Sequence, residues 1–245
     1  MLKISLVTLG HLKYSLKVKE LTEWKSNLLK ITQNAQLNHL QDPEGNDQEY
    51  LDTQLFELIQ ADQEADFTVA LIGAPLENNY YMRRISEKIC VISLFQMAEI
   101  VRDANFTIEQ YVLRNIYVLV VIYQSNNALI PTGYATWAHD DIRTCLFDMN
   151  MDKNDIVFSL HKPQLCTQCK ARSQRYQLPN GFLETLKNEL KKIQKPIYYR
   201  MLDWVREHPI LALVFSSLFA ISLNLYASYI FEFIKPCLPW LRDRL

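Results

Sequence analysis

Residues 139 to 169 read HDDIRTCLFDMNMDKNDIVFSLHKPQLCTQC, a stretch that holds three of the chain's five cysteines and two of its five histidines. The spacing is His139-x5-Cys145-x20-Cys166-x2-Cys169. A CxxC places two thiolates on one tight turn, where they can chelate a single Zn²⁺ at about 2.3 Å. Cys145 and His139, brought back by the segment between, would complete a tetrahedral Cys₃His set. Such a closed set is structural, because it leaves no position for water or substrate. Asp140 and His161 are the other residues within reach of the fourth position. Two readings compete with a structural zinc: a reduced thiol cluster without metal, and a redox CxxC. A redox motif belongs between a strand and the start of a helix, and here KPQLCTQCKARSQ follows an expected strand, DIVFSL (155–160). Asp140, Asp141, Asp148, Asp152 and Asp155 read as loop and turn residues.

The elements that must position this cluster read as an α/β layer arrangement. KISLVTLG (3–10), FTVALIGAP (67–75) and ICVISLF (89–95) are rich in Val, Ile and Phe and are bounded by polar or turn residues, as strands are. VKELTEWKSNLLKI (18–31) puts Leu21, Trp24, Leu28 and Ile31 on one helical face. TIEQYVLRNIYVLVVIYQ (107–124) predicts a longer, far more apolar central helix, with Thr107 and Gln110 forming a capping box. QDPEGNDQEYLD (41–52) is acidic, contains Pro and Gly, and is expected to be an exposed loop. Strands alternating with helices define the class.

Composition excludes several functions. Lysine and arginine number 26 against 27 acidic residues, so the chain lacks the basic balance of a nucleic-acid binder, and none is expected as a partner. Neither GxGxxG nor GxxxxGK[ST] occurs, which removes the commonest nucleotide loops. The first twenty residues are too charged for a signal peptide, so the thiols are expected in a reducing compartment.

ILALVFSSLFAISLNLYASYI (210–230) carries no charge. As a helix it rises roughly 30 Å, enough to cross a bilayer core. Lys191, Lys192, Lys195, Arg200 and Arg206 precede it, against Lys235, Arg242 and Arg244 after it. That bias predicts a single-pass, tail-anchored protein of the inner (cytoplasmic) membrane with its N-terminal domain in the cytoplasm. Tyr229 and Trp240 suit an interfacial aromatic belt. Ser217, Ala220, Asn224 and Ser228 share one face, which favours a homo-oligomer or pairing with a partner's helix. Before the span, GFLETLKNELKKIQKPIYYRMLDWVREHP (181–209) stripes Leu186, Leu190, Ile193, Ile197, Met201 and Trp204 on one side, with Pro196 expected to break the helix. It packs on the domain or lies along lipid headgroups. The expected organisation is therefore 1–178 cytosolic domain, 179–208 basic amphipathic juxtamembrane helix, 209–234 transmembrane helix and 235–245 tail.

The cysteine cluster resembles the archaemetzincins, a branch of the metzincin metallopeptidases whose pattern is HExxHxxGxxHC-x4-CM-x17-CxxC. The resemblance covers residues 66 to 170. It aligns His139 with the third catalytic histidine, Asp140 with the first cysteine, Cys145 with the second, and Cys166 and Cys169 with the terminal pair. It implies a zincin-like mixed sheet with helices and a structural zinc held by the cysteines. The catalytic half departs from the pattern. The helix NIYVLVVIYQ contains no His and no acid, and the loop QSNNALIPTGYATWA separates it from His139. Without two His ligands and a Glu base, water cannot be activated at zinc by the family's mechanism.

Two functions remain. The first is a membrane-anchored pseudoenzyme: a sensing, binding or effector module that acts by oligomerising or perturbing the membrane, as in bacterial stress responses or anti-phage defence. The second is a membrane-tethered, zinc-dependent hydrolase with a non-standard site around His139.

Overall fold

The computed structural model describes residues 1–37, 40–132, 137–139, 144–175, 178–195 and 197–234. The chain divides into two compact units, Met1–Lys195 and Pro196–Leu245.

The first unit is built on a five-stranded sheet of order β2-β1-β3-β5-β4. Its strands are β1 (Leu2–Leu9), β2 (Leu29–Leu37), β3 (Phe67–Ile72), β4 (Met82–Ser86) and β5 (Ile89–Ser93). All neighbours pair parallel except the edge strand β4, which runs antiparallel to β5. β3 and β5 are buried on both faces, which is why they read as unbroken apolar runs rather than alternating ones.

Alternate side chains supply two cores. Ile4, Leu6, Phe67, Val69, Leu71, Cys90 and Ile92 face the central helix α4 (Ile108–Ser125). Val7, Leu9, Ala70, Ile72, Ile89 and Val91 face Tyr50, Leu76 and helix α2 (Asp52–Leu58), which contributes Leu55. The capping box of α4 forms as expected: Gln110 N donates to Thr107 Oγ1 (3.2 Å), and Thr107 N donates to Gln110 Oε1 (2.8 Å). From Tyr111 to Tyr123 every residue of α4 is buried.

Two expectations fail. The predicted helix over 18–31 is only α1 (Val18–Thr22), and Leu29 and Ile31 belong to β2. Their apolar spacing also fits a period of two, and parallel pairing with β1 outcompetes helical periodicity. The predicted strand at 155–160 is helix α5 (Ile156–His161). Asp152 initiates the preceding 3₁₀ turn by accepting from Asn154 N at 2.9 Å, which winds the chain into a helix. The 41–52 segment is a loop as expected, but Tyr50 within it is buried and bridges to Leu76.

α7 (Phe182–Ile193) completes this unit. Phe182, Leu186, Leu190 and Ile193 enter the core. The Glu189 carboxylate accepts from Tyr117 OH, Ser26 Oγ and Asn27 N, each at 2.6 Å. The first half of the amphipathic stripe thus packs on the domain, and the helix ends before Pro196, which lies outside the described residues.

The second unit contains α8 (Ile197–Glu207) and α9 (Pro209–Ile234). Over Pro209–Glu232, α9 is long and apolar enough to cross a membrane.

Candidate metal centre

The CxxC sits where α6 (Thr167–Gln174) begins. Cys166 caps this helix, its sulfur accepting from Cys169 N at 3.3 Å. Both thiols therefore lie at a helix N-terminus, where exposed N–H groups and the helix dipole favour thiolates. The segment 144–149 is threaded past that end by two short bridges, Cys145 with Gln164 and His139 with Asp148. Leu146 N donates to Gln164 O at 2.9 Å. Cys166 N donates to the Cys145 sulfur at 3.4 Å.

These bridges bring His139, Cys145, Cys166 and Cys169 together, one donor atom of each lying within 4.8 Å of the others. Cys145 Sγ and Cys169 Sγ are 3.8 Å apart, and Cys166 Sγ is 3.5 Å from His139 Nε2. A tetrahedral zinc with bonds of about 2.3 Å to sulfur and about 2.05 Å to nitrogen has S–S edges of about 3.8 Å and S–N edges of about 3.6 Å. The residues present fit that ion in type, number and spacing. His139, Cys145, Cys166 and Cys169 form a group that could hold zinc, consistent with the archaemetzincin-like fold.

The electrostatics agree. The hydrogen bond with Cys169 pushes the Cys145 thiol down, against the opposing effect of burial. The same contact drives the Cys169 thiol upward. The two sulfurs compete for a proton, and binding a divalent cation to such thiols displaces protons.

Asp148 was expected as a turn residue, yet its carboxylate is buried against the cluster. Oδ2 accepts from Cys145 N at 2.9 Å, and Oδ1 lies 3.4 Å from His139 Nδ1. Among the described residues that nitrogen has no aligned hydrogen-bond partner, and the Asp148 carboxylate is the acceptor beside it. A carboxylate behind a ligating imidazole orients the ring and raises its basicity. Only the three-residue separation of Asp148 from Cys145 could have signalled it. The His161 ring packs edge-on against Phe106, 4.9 Å away. Asp140 and Asp141 lie outside the described residues.

Trp137 is buried in the same core, its ring 4.9 Å from that of Phe147 and the Arg172 guanidinium 5.7 Å from the centre of the indole. From below, α4 reaches the same loop through Arg114, which is fully buried. Arg114 donates to Leu146 O (2.8 Å), Ser159 Oγ (3.1 Å) and Asn115 Oδ1 (2.9 Å). Glu109, the single carboxylate of α4, accepts from Lys17 N at 2.7 Å. Elsewhere, a cavity of about 390 Å³ opens at the C-terminal ends of β1, β3 and β5, lined by Leu12, Lys13, Tyr14, Gly73 and Phe95 among others. β1 has its chain neighbour β2 on one side and β3 on the other, which makes this the crevice where open α/β sheets bind ligands.

The described residues thus form a mixed five-stranded sheet with helices and a Cys/His group suited to a metal ion. In particular, the fold is similar to the crystal structure of archaemetzincin (amzA) from Methanopyrus kandleri. That likeness has a TM-score of 0.50 and 15% identity, and it covers 71% of this chain and 94% of that one. No family model matches the sequence, and no curated protein matches it. The resemblance seen over 66–170 is therefore a resemblance of fold.

Proposed function

We propose that this protein is a membrane-anchored, non-peptidase zincin-like module, stapled by one structural zinc and working by binding rather than hydrolysis. The observation that carries the reading is the donor set itself. His139, the residue aligned with a catalytic ligand, turns its Nε2 to Cys166 and fills the fourth position of a cysteine site. Four protein donors leave no place for an activated water. The zinc would supply a cross-link between α6, the 144–149 loop and His139. α4 offers no histidine, and its one acid is engaged at its first turn.

In this reading the span α9 holds the α/β unit at the cytoplasmic face of the inner membrane. The crevice at β1 and β3 takes a small ligand, and association of spans or disturbance of the bilayer transmits the event, as an effector in stress or defence would. The full-length chain purified in detergent should carry about one zinc per chain. Cys169→Ser should lose both the metal and thermal stability, since structural zinc binding is folding free energy. A zinc-free protein from zinc-replete cells would overturn the staple. Peptide turnover that vanishes in His139→Ala would instead establish a tethered hydrolase.

A further inference from the structure

Among the described residues, α8 leaves its apolar side exposed. At 100° per residue, Ile197, Tyr198, Met201, Trp204 and Val205 fall within an arc of about 120°. Ile197 is 74% exposed, Met201 62% and Trp204 40%. Arg200, Asp203, Arg206 and Glu207 occupy the rest of the surface, two charges of each sign.

The contact between Trp204 and Phe215 says where that side is aimed. Along one continuous helix, residues eleven apart are separated by roughly 16 Å. Their side chains lean the same way, towards the N-terminus, so they cannot close that gap. Yet the two ring centroids are 6.0 Å apart. The chain must therefore turn sharply between the helices, and its hydrogen bonds show where. α8 closes with His208 N donating to Trp204 O, and α9 opens with Ala212 N donating to His208 O, both at 2.9 Å. Pro209 takes the first position of α9, where its missing N–H costs nothing. The turn swings the Trp204 face of α8 against the flank of α9. Phe215 lies about 9 Å along α9 from Pro209, a depth that corresponds to the shallow acyl region if α9 spans.

We propose that α8 is an interfacial helix, lying in the plane of the membrane with its Ile197–Trp204 face in the boundary between headgroups and acyl chains. The proposal rests on α9 being a span. The face is continuous with lipid-facing surface of α9, and no protein surface is needed to cover it. Because the charges of α8 balance, apolar burial drives the docking, and zwitterionic lipid suffices.

The test uses the full-length chain reconstituted in phosphatidylcholine vesicles with bromines placed either high or low on the acyl chains. Subtracting the emission of Trp204→Phe from that of the parent isolates Trp204 among four tryptophans. The expected result is quenching several-fold stronger with shallow than with deep bromines. Ile197→Lys with Met201→Lys should abolish it while the protein stays resistant to carbonate extraction. Absence of Trp204 quenching in carbonate-resistant protein would overturn the interfacial helix and leave the span intact, as would a face covered by a second copy. Extraction of the parent by carbonate would overturn both.

Discussion

The two long apolar helices of this chain invite comparison. α4 has 18 residues and is buried almost throughout, whereas α9 has 26 and, among its described side chains, all but Ala212 are exposed. Several of their polar residues behave differently, although Asn115 of α4 also donates within its own helix, to Tyr111 O at 3.0 Å. Those of α4 reach other elements: Arg114 to Leu146 and Ser159, Tyr117 to Glu189, and Tyr111 OH to Ser93 O at 2.9 Å. The serines of α9 turn back on their own helix. Ser216 and Ser217 donate to Leu213 O, Ser222 to Leu218 O and Ser228 to Asn224 O, all at 2.8–2.9 Å. A helix in a protein core can satisfy polar groups with neighbours, while one facing lipid must satisfy them internally. The difference teaches that apolar length alone does not set a helix's surroundings: α4 is enclosed by its own unit, whereas α9 is the exposed helix with the length and composition to cross a membrane.

The comparison can be broken most forcefully in α9. If α9 spans as proposed, Leu218→Arg with Ile221→Arg places two charges mid-span, each costing about 2.5–3.5 kcal/mol of insertion. Carbonate extraction should release the variant, with the zinc content of the α/β unit unchanged. The converse change, Arg114→Ala in α4, should leave membrane retention intact. It should cost the α/β unit about 3–5 kcal/mol, because Leu146 O, Ser159 and Asn115 lose a buried charged donor and a cavity opens. Denaturant unfolding would read the loss. Retention lost with Arg114, or stability lost with Leu218, would erase the distinction between the helices.

Smaller effects sharpen it. Glu189→Ala removes the acceptor of three hydrogen bonds that bind α7 to α4 and the β2 approach, and should cost about 2–3 kcal/mol, measured the same way. Subtlest is a pH effect at the sheet face beneath α4, where burial pushes the Cys90 thiol up to about 12 from an ordinary 9.0. A raised folded value means the neutral form is favoured on folding. Its contribution is full below pH 9 and is lost as pH rises from 9 towards 12, by roughly 1.4 kcal/mol per unit. Cys90→Ala should flatten that slope in unfolding curves taken at pH 8 and pH 10.

Much of the centre was legible in residue order. The CxxC with Cys145 and His139 gave the donor types, because ligand chemistry is carried by side-chain identity and local spacing. The capping box of α4 was equally readable, since it involves residues three apart. Asp148 was not, because its role depends on a bridge from His139 that closes a loop of nine residues. Arg114 was hidden too: it lies on an apolar helix, and its partners are 32 and 45 residues away. β2 was misread because Leu28 to Ile31 satisfy both helical and strand periods, and only β1 as a neighbour separates the two. The run 156–161 was misread for a similar reason, being too short for periodicity to decide.

What the sequence by itself determined, then, is the chemistry: three thiols and an imidazole at chelating spacing, a catalytic pattern without its HExxH, and an uncharged run of 21 residues. These are local properties, independent of what surrounds them. Tertiary structure alone decided which atoms meet. It turned His139 Nε2 onto Cys166, set Asp148 behind the ring, drew α7 into the core and bent the chain at Pro209 so that Trp204 faces Phe215. Contacts of that kind close long loops, and their free energy comes from packing that no short window of residues contains.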